Sequence, residues 1–310
     1  MKNFDILSFG EPLYEFSQLP QDKEPVSFIS GYGGDTSNFA ISAARQGACV
    51  AMLTQLGQDV FGDKFVSLWQ QEGVNCDHVL RHPDAPTGIY FISHDRAGHH
   101  FTFYRKGSAA ACTRPADLSE QAIQSARLLH TSAITLAISN SACDSVFAAI
   151  EMARRHDTRI SFDTNLRLKL WPISRARAII HEVVRQVDIC LPSLDEARLL
   201  TGIEDADRII DFYLKLGVKA VVLKMGSEGA MYASANQRVR VAGHHVNTVD
   251  ATGAGDCFSG AFLTQYLASA GPEKALHYAN AAAALTTTGY GAVAPIPHRQ
   301  KVEAYLASLS

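Results

Sequence analysis

In this chain of 310 residues the segment Asp250-Ala251-Thr252-Gly253-Ala254-Gly255-Asp256 is the one best suited to chemistry, and it runs straight into the apolar period Phe258, Ala261, Phe262, Tyr266. Small residues ahead of a helix leave the N–H groups near Gly253, Ala254 and Gly255 without partners, with the positive end of the helix dipole behind them. Such an anion hole suits a phosphate, and it suits the charge that develops on a phosphoryl group in transfer. Asp256 falls in the first turn beside the hole, where a carboxylate can take the proton of an attacking hydroxyl. Asp is also favoured at a helix start as a cap, so this segment alone leaves base and cap both open.

Other glycine patterns fail as phosphate loops. Gly57-x-x-x-x-Gly62 continues with Asp63-Lys64 instead of Lys-Ser/Thr, and Gly31-Tyr32-Gly33-Gly34 reaches Thr36 where a dinucleotide fingerprint needs its third glycine. The cysteines at 49, 76, 112, 143, 190 and 257 never form Cys-x-x-Cys, which argues against a zinc site or a compact disulfide framework. The pairs His99-His100 and His244-His245 lack metal-ligand spacing and read as solvated loop histidines. With 28 Lys+Arg against 31 Asp+Glu and no basic cluster, nothing marks a nucleic-acid or anionic membrane partner. No apolar run approaches a membrane span, and no signal peptide opens the chain, so a cytoplasmic home is expected.

The elements that must position these residues alternate. Strands are predicted at 5–10, 49–56, 128–134, 159–163, 188–191 and 220–224, with helices at 36–45, 61–71, 142–155, 174–186, 195–201 and 205–216 between or beside them. That rhythm predicts a doubly wound α/β core, with parallel strands and helices on both faces. Residues 11–33 and 87–105 alternate apolar and polar side chains instead, with a turn at Asp95-Arg96-Ala97-Gly98, and predict a small antiparallel sheet projecting from the core. At the carboxyl ends of the parallel strands it would serve as a lid. Positions Phe28/Ser30 and Tyr90/Ile92 would give that sheet a face for pairing with a second copy, a homo-oligomer through the lid.

Asp250 to Phe258 (DATGAGDCF), together with Gly33-Gly34-Asp35-Thr36-Ser37-Asn38, resembles the two signatures of the ribokinase-like (PfkB) family of ATP-dependent sugar kinases. The likeness covers essentially the whole chain. It implies a single kinase domain over 1–310, a ribokinase-like α/β core with a small β-sheet lid from segments 11–34 and 86–107. It places the catalytic base on Asp256 and the anion hole on Gly253, Ala254 and Gly255. It places ATP along Lys224, Gly226, Ser227 and Gly229, with Asn165 and Arg167 nearby and adenine beside Asn280. A monovalent cation such as K+ is implied at Asp250 and Thr252, with help from Gly289-Tyr290-Gly291. Mg2+ is implied near Glu196 through water; the motif there reads Ser193-Leu194-Asp195-Glu196, with the family's asparagine absent.

Within the family, GGDTSN at 33–38, Phe103 to Ala110, and Asp163 to Trp171 (DTNLRLKLW) resemble 2-keto-3-deoxygluconate kinases. A sugar acid suits guanidinium groups, which bind carboxylates through paired hydrogen bonds. Arg105 would hold the acid end, and Arg167 would reach substrate and phosphate. Gly33 and Gly34 would let the backbone lie against the sugar, Asp35 and Asn38 would meet its hydroxyls, and Tyr90 would cover it. Phe103 stands where this subgroup carries tyrosine, and Tyr104 faces the other way in a strand. A fructokinase-like or other ketose kinase, a nucleoside kinase, and a catalytically silent sugar-binding protein are the alternatives.

Overall fold

The computed structural model describes residues 2–19, 26–95 and 98–309. The strands run in chain order as β1 (Phe4–Phe9), β2 (Leu13–Gln18), β3 (Phe28–Gly33), β4 (Val50–Gly57), β5 (Asn75–His82), β6 (Ile89–Asp95) and β7 (Gly98–Tyr104). They continue as β8 (Ala126–Ser132), β9 (Arg159–Asp163), β10 (Ile189–Cys190), β11 (Ala220–Lys224), β12 (Ala230–Ser234) and β13 (Arg238–Val241). Nine of them form one sheet in the order β13-β12-β11-β10-β9-β8-β1-β4-β5, and four form a second in the order β3-β2-β6-β7.

The strands from β11 to β5 are all parallel. β4 and β11 are buried along their whole length, as parallel strands covered on both faces must be. One face carries helices Asp35–Arg45, Val60–Gln71, Ala254–Leu267 and Pro272–Thr286, around Phe39, Trp69, Phe262 and Leu276. The other carries Asn140–Arg155, Ile173–Val184, Leu194–Thr201 and Ala206–Leu216, around Val146, Ile180, Leu200 and Tyr213. The chain passes from β1 toward β4 on one side and later resumes at β8 on the other. The carboxyl ends of β1 and β8 therefore flank the switch point at which open α/β sheets bind ligands.

Three expectations are corrected. The main sheet is not wholly parallel, because β12 and β13 fold back antiparallel on its edge; a tight turn through Gly226 (φ 59°) and Gly229 (φ 96°) reverses the chain after β11. β5 extends the other edge, where the sequence alternates too weakly to be read as a strand. The small sheet is mixed: its two hairpins are antiparallel, but β2 and β6 pair in parallel. The reason is geometric. Both strands leave the same carboxyl edge of the main sheet, β2 after β1 and β6 after β5, so both point the same way. Residues 20–25 and 96–97, within the expected hairpin segments, lie outside the described residues. His99 and His100 lie on β7 instead of in a loop.

The register of the small sheet separates two faces. Gly31, Glu15, Tyr90 and Phe103 stand in one row across it. Tyr14, Phe16, Tyr32 and Phe91 belong to the opposite face, where they pack with one another and with Phe61 and Phe65. Tyr90 is only 5% exposed, so it cannot belong to the outward face expected of it, although Phe28 and Ile29 are exposed.

Candidate active site

The helix Ala254–Leu267 is what brings the pieces together. Gly253 precedes it at φ 75°, where a side chain would meet the Ala292 carbonyl at 2.7 Å. No side chain caps the helix; the Ala254 amide turns back to the Ala251 carbonyl at 3.2 Å, and the next amides, of Gly255 and Asp256, are left to a ligand. The helix lies close upon Asp35–Arg45 because Gly260 has no side chain; a Cβ there would meet the Phe39 carbonyl at 2.7 Å. Ser42 donates to the Cys257 carbonyl at 2.9 Å and fixes the register. Asp256 is thereby set opposite Asn38, whose Nδ2 donates to Asp256 Oδ2 at 2.8 Å. Asn38 is buried, and its Oδ1 has no hydrogen-bond partner among the described residues.

Burial raises the Asp256 carboxyl to about 8, helped by the like charges of Asp35 and Asp163 and opposed by the Asn38 hydrogen bond and by Lys224. Asp35 itself is pushed up, chiefly by burial and in part by Asp163. A carboxyl tuned toward neutrality beside an uncapped helix start is suited to accept a proton where a phosphoryl group is transferred.

On one side of Asp256 lies a cavity of about 320 Å³, lined by Lys224, Gly226, Ser227, Gly229, Ala254, Gly255 and Asn280 among others. A Cβ on Gly229 would collide with the Val241 carbonyl, so glycine is what lets the two loops close on each other. Asn280 donates to the carbonyls of Val241 and Ala242 at 3.3 and 3.0 Å, which steadies the same wall. His244 and His245 lie in a loop as expected, half-buried and exposed respectively, and they also line the cavity. His244 rests edge-on against Tyr305 at 5.4 Å.

Beneath the cavity floor, the Lys224 ammonium donates to Asp163 Oδ2 at 2.5 Å and to Ser259 at 3.4 Å, and Ser259 donates to the same Asp163 oxygen at 3.1 Å. Burial pulls the Lys224 pKa down, but Asp163 outweighs it and the net shift is upward. Lys224 therefore stays charged, within 3.7 Å of where a Cβ on Gly255 would be. Neither Asp163 nor Ser259 was assigned a role from sequence.

On the other side of Asp256 stand the residues expected at the sugar. Gly33 lies under Tyr90, whose hydroxyl would be 2.7 Å from a Cβ there, and Gly34 (φ 95°) lies against the backbone of Glu11 and Pro12. Tyr90 donates to Glu15 and stacks on Phe103 at 5.5 Å. Tyr104 contacts Phe91 on the opposite face, so it does not restore a hydroxyl at position 103. Arg105 is buried, with its guanidinium 5.4 Å from the Phe103 ring, and it donates to the buried Glu11. Glu11, just after β1, and Glu15, on β2, were missed because single carboxylates among apolar residues give no signal in a single sequence.

Asn165 donates from its Nδ2 to Asp35 at 2.9 Å. Arg167 is exposed and pairs with Glu196 at 3.2 Å. Glu196 also accepts from Thr164 at 3.2 Å, and burial first, then Asp163, raises its pKa. Asp250 accepts from the Thr252 amide at 2.9 Å, from its hydroxyl at 2.6 Å and from the Gly291 amide at 2.9 Å, which joins the two loops expected around a cation.

A family model described as pfkB family carbohydrate kinase matches residues 3–299. The sequence is 34% identical to 2-dehydro-3-deoxygluconokinase of Thermoproteus tenax over 317 residues, covering 98% of this chain and 94% of that protein. It is 32% identical to fructokinase-1 of Oryza sativa subsp. japonica over 312 residues, covering 96% of each. The solved structure of fructokinase with bound ATP from Xylella fastidiosa superposes with a TM-score of 0.88 at 25% identity, covering 98% of both chains. Among the described residues no helix is long and apolar enough to cross a membrane.

Proposed function

The chain belongs to the PfkB family of carbohydrate kinases, enzymes that phosphorylate a sugar hydroxyl, and from that premise we propose that it transfers the γ-phosphate of ATP to the terminal primary hydroxyl of 2-keto-3-deoxygluconate. The observation that carries the reading is the place of Asp256. It stands at an uncapped helix start, between a cavity of about 320 Å³ floored by Lys224 and a buried polar cluster that holds Arg105.

Asp256 takes the proton of the attacking hydroxyl, oriented by Asn38. The amides near Gly253, Ala254 and Gly255 meet the phosphoryl oxygens, and the Lys224 ammonium adds charge to the same wall. Gly226, Ser227 and Gly229 line the triphosphate side, with Asn280 and Ala283 at the far end for the base. The small sheet acts as a lid that excludes water from the hydroxyl and the phosphate. Mg2+ bound with the nucleotide would neutralise phosphate charge. Glu196 fits a water-mediated hold on it, since its half-buried carboxyl has oxygen and cation partners but no tight cage. Asp250, Thr252 and the Gly291 loop fit a monovalent cation behind the anion hole, being oxygen-rich and drawn together already.

A ketose such as fructose is the second reading. Arg105 is already countered by Glu11, Phe103 offers no hydroxyl, and the likeness to fructokinases is nearly as strong. The test is a coupled assay of ATP consumption over sugar acids and neutral ketoses, run with Arg105→Ala in parallel. Selective loss on the acids supports the acid reading. Activity confined to neutral ketoses favours the second.

A further inference from the structure

Glu11 follows β1 at the switch point, with its side chain fully buried, and its carboxylate accepts from Arg105 Nη2 and, at 3.3 Å, from Ser108 Oγ. Its position is set from two sides. Gly34 lies against its carbonyl, where any side chain would collide, and a Cβ on Gly88 would come within 3.4 Å of its Oε1. Arg105 is likewise buried, packed over Phe103, and its Nε has no hydrogen-bond partner among the described residues. One edge of the guanidinium is thus taken by Glu11, while a second donor is buried and unsatisfied. A donor left that way is costly unless an acceptor arrives, and a substrate oxygen is the acceptor this cluster lacks.

We propose that Glu11 sets the preference of the sugar end between acid and neutral substrates, by countering the charge of Arg105 while leaving its Nε to a substrate oxygen. The inference rests on the reading that Arg105 faces the sugar. With Glu11 ionised, the pair is neutral overall and offers a substrate carboxylate little more than it offers a hydroxyl or a ketone. With that charge removed, the guanidinium is an uncompensated cation in a buried setting, which an anion relieves and a neutral sugar does not. Glu11 is therefore a brake on acid binding, and the strength of the brake decides which class of sugar the site accepts.

The test compares wild type, Glu11→Gln, and the double variant Glu11→Gln/Arg105→Gln. Dissociation constants for 2-keto-3-deoxygluconate and for fructose are measured by calorimetry, whether or not each sugar is turned over. Glu11→Gln keeps shape and an acceptor for Arg105, and the ratio of the two affinities should move toward the acid by roughly tenfold. The double variant leaves no unpaired charge, and its ratio should return to within a few fold of wild type while both affinities fall. An unchanged or opposite shift in Glu11→Gln overturns the proposal. If that variant fails to fold, a double variant whose ratio moves tenfold toward the acid overturns it, and so does the absence of binding of either sugar to any foldable variant and to wild type. Failure of the substrate reading is separate: wild type that turns over only neutral sugars refutes that reading while the shift in ratio still decides the role of Glu11.

Discussion

Asn38 and Asp256, separated by 218 positions, meet through a hydrogen bond of 2.8 Å. The contact exists because Gly260 lets two helices close to backbone distance, and it leaves Asp256 half-buried with one oxygen occupied and the other open to a substrate proton. The surroundings then set the basicity of Asp256: burial, Asp35 and Asp163 raise it to about 8, and Asn38 restrains it.

The pH dependence follows with a defined sign. A base must be unprotonated, so kcat/KM should rise with pH through a midpoint near 8 in the free enzyme. Asp35→Asn removes a like charge and should move that midpoint down, by on the order of one pH unit. Asn38→Ala removes a hydrogen bond to the charged form and should move it up. Shifts in the same direction would contradict the assignment.

The same shift affects stability. A carboxyl whose pKa is higher in the folded chain binds its proton more tightly there, so its stabilising effect is present at acid pH and is lost as pH rises toward 8. Asp256→Asn should therefore melt above wild type at pH 9, by a few degrees on the usual scale, with a smaller difference at pH 5. Thermal unfolding at the two pH values checks this, and an equal difference at both would count against it.

Lys224 and Asp163 form a buried pair, both side chains at most 10% exposed. Asp163→Ala leaves an ammonium without its partner and should cost about 3–5 kcal/mol in urea unfolding. The double change Asp163→Leu/Lys224→Met removes both charges and should recover most of that loss, yet ATP affinity should stay weak because the ammonium is gone. Recovery of ATP binding in the double variant would show that Lys224 serves the fold alone.

Gly253 at φ 75° tests the anion hole. Gly253→Ala should cost about 1–2 kcal/mol from the left-handed backbone and more from contact with Ala292. Its KM for ATP should rise while sugar binding is spared, as measured by initial rates with each substrate varied. Equal losses for both substrates would point to general unfolding.

Much of this was legible in the sequence, for physical reasons that differ by element. The strands at 159–163 and 220–224 are short apolar runs bounded by polar residues, and they fall where expected. DATGAGD announces an uncapped helix start because only small residues permit it. The antiparallel edge of β12 and β13 was not legible, since Met231 to Val241 reads equally as a loop or as strands until a neighbour exists. Glu11, Glu15, Asp163 and Ser259 escaped notice because each matters through a partner distant in the chain, and spacing carries no trace of such a pairing. That His244 and His245 line the cavity was not legible for the same reason: the wall they complete is built largely from Lys224 to Gly229 and Asn280 to Thr287.

The central claim is that Asp256 is the base of a sugar kinase. The most direct test measures Asp256→Asn twice, for turnover in the coupled assay with the best sugar substrate and for ATP affinity by calorimetry. Turnover should fall by about 10²–10⁴-fold while the ATP dissociation constant stays within a few fold. Near-normal turnover with intact ATP binding would contradict the account.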